Sequence, residues 1–177
     1  MSAVLLALGA VFYFTSRPEP VAPREPARHF IWQVESLELQ HISISLPLEG
    51  KSESWAKHAD KFWYFDTPNG PKVDMVRWGG GIPLLLSGPG ANRRITDQAT
   101  VEELESYSLV NPRMVISLIL EDGETINVTV GDLTLDGKAY YIRLADAPAV
   151  YTVDFTWFDV LEKLVLNPPY PESAVSK

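Results

Sequence analysis

The chain has 177 residues, 46% of them apolar, 11% aromatic and 21% charged, enough for one domain of about 150 residues and a tail. A domain of that size buries roughly 70% of the surface its unfolded chain exposes, so it needs no metal or disulfide to hold a core, and its apolar content excludes disorder for most of the chain. The 15 Lys and Arg stand against 23 Asp and Glu, a net charge of -8, where a phosphate-tracking protein wants a basic stripe, so nucleic acid is not an expected partner. Cysteine is absent. That removes disulfides, thiolate metal sites and Cys nucleophiles but identifies no compartment.

From Ser2 to Ser16 there is no charged residue, and Ala3 to Phe14 is an unbroken apolar run. At 1.5 Å per residue, residues 1–16 reach only about 24 Å against about 30 Å of bilayer hydrocarbon. A buried amphipathic helix is disfavoured because the run is apolar on every face and a Pro-rich stretch follows it. A cleaved signal peptide would want a basic start and a small-x-small site after the apolar core, and neither is present. The expectation is therefore an uncleaved membrane anchor over residues 1–16. Leu5, Leu6, Leu8, Val11, Phe12, Tyr13 and Phe14 meet lipid in this reading, and Ala7, Gly9 and Ala10 offer the small surface on which another helix packs. Residues 17–29, with four prolines between Arg17 and Arg28, read as a semi-rigid spacer. Arg17, Arg24 and Arg28 alone would place the domain in the cytoplasm. Glu19 and Glu25 dilute them, and domains of this size translocate regardless of flanking charge, so an extracytoplasmic domain on a single-pass bacterial inner or photosynthetic membrane is the expectation.

Residues 30–167 form the expected folded domain. Alternation over Val34 to Leu39 and again over Ile42 to Leu46 predicts two half-buried strands. Phe62 to Phe65 predicts an aromatic strand closed by the turn Thr67-Pro68-Asn69-Gly70. Val73 to Leu86 predicts a helix broken by three glycines, Arg93 to Thr96 a short strand, and Thr100-Val-Glu-Glu a helix start with a capping box. Met114 to Leu120 and Thr125 to Val130 flank Asp122-Gly123, a strong hairpin signal. Ala139 to Leu144 and Ala149 to Val153 predict two further strands, and Phe155 to Leu166 an amphipathic helix stopped by Pro168-Pro169. The fold class expected is α+β, a mainly antiparallel sheet with a few short helices and one N-terminal membrane helix. Val115, Ile116, Leu118, Val128, Tyr141, Leu161 and Leu164 are expected in its core. Val73-Asp74 with Trp78 recurs as Val153-Asp154 with Trp157. This fits a duplicated β-β-β-α unit, and equally a chance repetition within an α+β domain.

Chemical motifs are sparse. Gly79-Gly80-Gly81 lacks the Lys-Ser/Thr of a phosphate cradle. His29, His41 and His58 are far apart and lack an i+3 or i+4 partner, and the acidic pairs lack Ca-loop spacing. No nucleophile elbow is present. No catalytic residue, metal or cofactor is expected, and surface for binding remains. Arg77, Trp78 and Gly79 are the candidate interface, since Trp and Arg are enriched at interface hot spots. Pro169 and Tyr170, in an extended tail over residues 168–177, are a second candidate docking strip.

Several motifs occur in a telling order: Trp63 to Pro68, Val73-Asp74, Arg94-Ile95, Leu104 to Pro112, Val115 to Gly123, Val130-Gly131, Tyr140 to Leu144, and Val150-Tyr151. In this order the chain resembles the bacterial domain of unknown function 4340, from about residue 30 to residue 166. One departure is Ser108, where that family usually has Gly; a positive φ at that corner would strain a Ser. The resemblance implies one membrane-spanning segment with a short linker, no enzymatic residues, and relatives that accompany gliding or ABC-type export systems or stand alone in photosynthetic bacteria. The expected function is thus a non-catalytic, membrane-anchored accessory or assembly subunit of a larger bacterial membrane complex, photosynthetic, respiratory or transport. The alternative is an extracytoplasmic ligand-binding module on a membrane tether. The expected partners are a membrane protein complex and, through the N-terminal helix, the lipid bilayer.

Overall fold

A computed structural model describes residues 29–79 and 81–171. The anchor expected over residues 1–16, the spacer up to Arg28 and the end of the tail lie outside the described residues. Among the described residues, no helix is long and apolar enough to cross a membrane.

Eight antiparallel strands make one sheet: β1 (Leu39–Leu46), β2 (Lys51–Lys57), β3 (Trp63–Phe65), β4 (Arg93–Thr96), β5 (Met114–Leu120), β6 (Thr125–Leu133), β7 (Ala139–Leu144) and β8 (Val150–Asp154), in the order β3-β2-β1-β5-β6-β7-β8-β4. Among the described residues four helices accompany it: α1 (Met75–Trp78), α2 (Ile82–Ser87), α3 (Val101–Ser106) and α4 (Phe155–Leu166). The period-2 alternation of the strands separates two faces. Leu39, Ile42, Ile44, Leu46, Trp55, Ile116, Leu118 and Val128 point to one side and are sealed, with α4 laid against β1, β2, β7 and β8. Antiparallel partners share a face, and the opposite face carries a row of small polar residues in register: Ser54, Ser43, Ser117 and Asn127. A sheet of antiparallel strands with one face packed and one wetted is the expected outcome of hairpin connections.

Most elements follow from local chemistry. Gly123 at φ 87° turns β5 into β6. Thr100 caps α3, accepting from the Glu103 amide while the Glu103 carboxylate accepts from the Thr100 amide. The predicted broken helix is two helices, because Gly79 at φ 67° ends α1 and Pro83 sits in the first turn of α2. Two expectations are corrected. No strand forms over Val34 to Leu39: the Glu38 amide donates to the Glu35 carbonyl in a turn, Leu37 is exposed, and β1 begins only at Leu39. Its hairpin partner is instead Lys51–Lys57, a polar segment whose one sealed side chain is Trp55. Ile116, Leu118, Val128, Leu161 and Leu164 are core as expected. Val115 and Tyr141 are only half-buried, because both belong to the opposite face, where Tyr107 stacks on Tyr141 at 4.2 Å.

The corner after α3 holds Ser108 at φ 55°, the left-handed conformation that glycine adopts more readily. Its hydroxyl donates to Asp132 at 2.6 Å, and the other oxygen of that carboxylate accepts from Arg113 Nε at 2.6 Å. The Asp132 amide donates to the Tyr107 carbonyl, so the chain at Gly131 lies against this corner, where a Cβ would collide with the Tyr107 carbonyl oxygen.

The two halves of the sheet have parallel itineraries. β1-β2-β3 and β5-β6-β7 meander outward in opposite directions from the central β1·β5 pair. Lys72 bridges Tyr64 beside β3 as β8 pairs with β7. Both paths then reach Val-Asp, the Asp carboxylate capping a helix that buries a Trp: Asp74 for α1 and Trp78, Asp154 for α4 and Trp157.

Candidate interaction groove

The end of α1, the length of α2, one side of α4 and the residues after it enclose a groove of about 550 Å³. Each wall has a local cause. The Asp74 carboxylate accepts from the Val76 and Arg77 amides and starts α1, Gly79 turns the chain away, and Pro168-Pro169 prevents α4 from continuing. The floor is Trp78, Ile82, Leu85 and Leu164, and Arg77, Lys163 and Asn167 stand at one end. A second hollow of about 340 Å³ shares Gly81 and Leu85 with it and reaches Gly88, Pro89 and Gly90. The two hollows adjoin at Gly81 and Leu85 and make an interrupted track beside α2, where it meets α4.

The segment after α4 is tied down. The Pro169 carbonyl accepts from the Asp74 amide at 2.8 Å. Arg77 donates through one guanidinium nitrogen to the Asn167 carbonyl at 3.0 Å and to Asn167 Oδ1 at 3.1 Å, and through the other to the Tyr170 carbonyl at 3.4 Å. Tyr170 stacks on Phe65 with centroids 3.9 Å apart and an interplanar angle of 4°. Burial, and then the charge of Glu53, pushes its hydroxyl above the usual tyrosine range. Residues 168–171, the described start of the extended tail expected over residues 168–177, are thus packed against the domain.

The five residues singled out in the sequence therefore occupy one region. Arg77, Trp78, Gly79 and Pro169 line the groove, and Tyr170 fastens the segment beside it. Trp78 is not an exposed anchor: it is 1% exposed, packed on Trp55 at 5.1 Å and Trp63 at 5.8 Å, and forms the floor. Among the described residues its indole N–H has no acceptor, nor has that of Trp55, whereas those of Trp32 and Trp157 donate to the Leu86 and Leu85 carbonyls. Lys163 and Asn167 were missed by sequence reasoning. Their signal was their place at the end of a helix stopped by Pro-Pro, which turns their side chains toward whatever packs there.

Elsewhere, His41 Nε2 meets the Asp66 carboxylate at 2.8 Å, and His58 stacks on Tyr64. Among the described residues, no group of three or more His, Asp or Glu could hold a metal ion. A smaller hollow of about 270 Å³ has His29, Arg93, Arg94 and Tyr151 in its wall. There Arg94 pairs with Asp97 at 2.6 Å and lies over the Tyr151 ring.

No curated protein and no solved structure matches the chain. Residues 90–167, from Gly90 through α4, match the model of the family described as Domain of unknown function (DUF4340), which makes this segment a member of the domain of unknown function 4340 family.

Proposed function

We propose that this protein is a non-catalytic, membrane-anchored accessory or assembly subunit of a larger bacterial membrane complex, photosynthetic, respiratory or transport. The observation that carries this reading is the groove. Its floor is apolar, its described lining offers cations and an amide but no carboxylate, imidazole or hydroxyl, and its neighbours Leu84 and Val160 leave apolar side chains in solvent. Such a surface recognises a partner by apolar contact with a few fixed polar groups. In this reading residues 1–16 are a helix in the membrane, 17–29 hold the domain off it on the extracytoplasmic side, and tethering beside the partner lets a modest interface suffice. The shared itinerary of the two half-sheets supports a β-β-β-α unit present twice, with α1 a shortened counterpart of α4.

The test is purification of the full-length protein from its host membranes in mild detergent. Co-migration with a defined membrane assembly is the expected result. Migration as a lone monomer in several mild detergents would defeat it and favour the alternative, a ligand-binding module on a tether, for which a groove of about 550 Å³ is within the usual size of small-molecule sites.

A further inference from the structure

We propose that the track between α2 and α4 receives an apolar peptide segment of a partner protein that carries a carboxylate, the acid lying at the Arg77 and Lys163 end. The inference rests on the binding reading of the groove and adds its ligand chemistry.

Charge is the first argument. From residue 31 onward the chain has 12 basic and 21 acidic residues, yet the described lining of the groove has two cations and no acid. Among the described residues neither Arg77 nor Lys163 is within ion-pair distance of a carboxylate. The Arg77 donors go to neutral oxygens of Asn167 and Tyr170, which fix the guanidinium in place with, among the described residues, no carboxylate on it. A positioned cation beside an apolar floor, with no described carboxylate in the groove lining, fits an anionic group attached to an apolar body.

Shape is the second. The two hollows share Gly81 and Leu85 and continue toward Gly88 to Gly90, with Leu84 69% and Val160 41% exposed along the way. Two adjoining hollows with an apolar rim suit a peptide that lays successive side chains into them. The acidic remainder of the domain disfavours the other amphiphile of similar chemistry, an anionic lipid surface, because the whole domain would be repelled where a single carboxylate feels the local cations.

The experiment is selection of a random peptide display library on the full-length protein in mild detergent, followed by fluorescence titration of the selected peptides. The expected peptides combine apolar residues with Asp or Glu. Lys163→Glu, at an exposed position, should weaken them about tenfold, whereas Arg77→Lys, which keeps the charge and loses the forked bonds, should retain most of the affinity. Selection of acid-free or basic peptides, binding indifferent to Lys163→Glu, or no selection at all would overturn the proposal. So would a preference of the protein for phosphatidylglycerol over phosphatidylcholine vesicles that Lys163→Glu abolishes, because the groove would then be reading lipid headgroups. If a membrane assembly co-purifies but these peptide results fail, the ligand chemistry is wrong and the accessory reading stands. If acidic apolar peptides bind and no assembly is found, the reverse holds.

Discussion

Ser108 occupies a conformation that costs a non-glycine residue about 1–2 kcal/mol, and its hydroxyl supplies an offset by donating to Asp132 at 2.6 Å. The strain was implied by the family resemblance, as a Ser where the family usually has Gly, while the compensation was not, because Asp132 is brought there only by the pairing of β6. Ser108→Ala keeps the strain and loses the bond, so urea unfolding should show a loss of about 1–2 kcal/mol, with Ser108→Gly losing less. The same carboxylate gives a pH dependence. The Ser108 hydrogen bond first, then that of Arg113, holds the Asp132 pKa below the usual carboxylate range. A folded pKa below the unfolded value means that this stabilisation is present above the unfolded pKa, about 3.9, and is lost as pH falls through the folded one. Asp132→Asn should therefore lower the urea midpoint at neutral pH and flatten its fall below about pH 4. The pair is over 40% exposed on both sides, so screening keeps the effect modest.

Elements with a signal inside their own few residues were readable: the β5-β6 hairpin from Asp122-Gly123, α3 from its capping box, α4 from its apolar stripe and the Pro-Pro stop. β2 was not, since only Trp55 of its seven residues is sealed and the rest face water or the small polar row. The alternation over Val34 to Leu39 misled because period 2 carries no information about partners. The Lys57 ammonium donates to the Leu37 carbonyl there, an oxygen a strand would have used in a ladder. α4 holds the sheet through Trp157, Phe158, Leu161, Leu164 and Val165. Leu161 is fully sealed, and Leu161→Ala should cost about 2–5 kcal/mol in chemical denaturation. Asp154→Ala, which removes the cap on the Thr156 amide together with the bond from the Thr156 hydroxyl, should cost about 1 kcal/mol. A larger loss at the cap than at Leu161 would contradict burial as the dominant restraint on this helix.

At the scale of the whole molecule, the residue types of the groove were visible in the sequence and their meeting was not. Arg77-Trp78-Gly79 and Pro169-Tyr170 read as two separate candidates, and it is the Asp74 amide on the Pro169 carbonyl and the Arg77 fork on Asn167 that join them. At the other end of the track, the Ile31 amide donates to the Pro89 carbonyl and Phe30 bridges Gly90, so the chain toward residues 1–28 departs beside Gly88 to Gly90. In the reading proposed above, an anchor joined through the spacer would tether this end of the domain to whatever the anchor packs against. A stretch of about 24 Å is short for about 30 Å of hydrocarbon, and packing against a neighbouring helix relieves that mismatch where small residues allow close approach. Gly9→Leu should thus weaken co-purification with a membrane assembly while leaving the urea unfolding of the domain unchanged. Replacing residues 1–16 by a cleavable signal should release a folded domain that travels alone. The direct check is fractionation with mass analysis of the native protein: it should remain in the membrane fraction with its first sixteen residues intact, and recovery of a soluble form beginning after Ser16 would remove the anchor and, with it, the geometric reason for placing the groove beside a membrane partner.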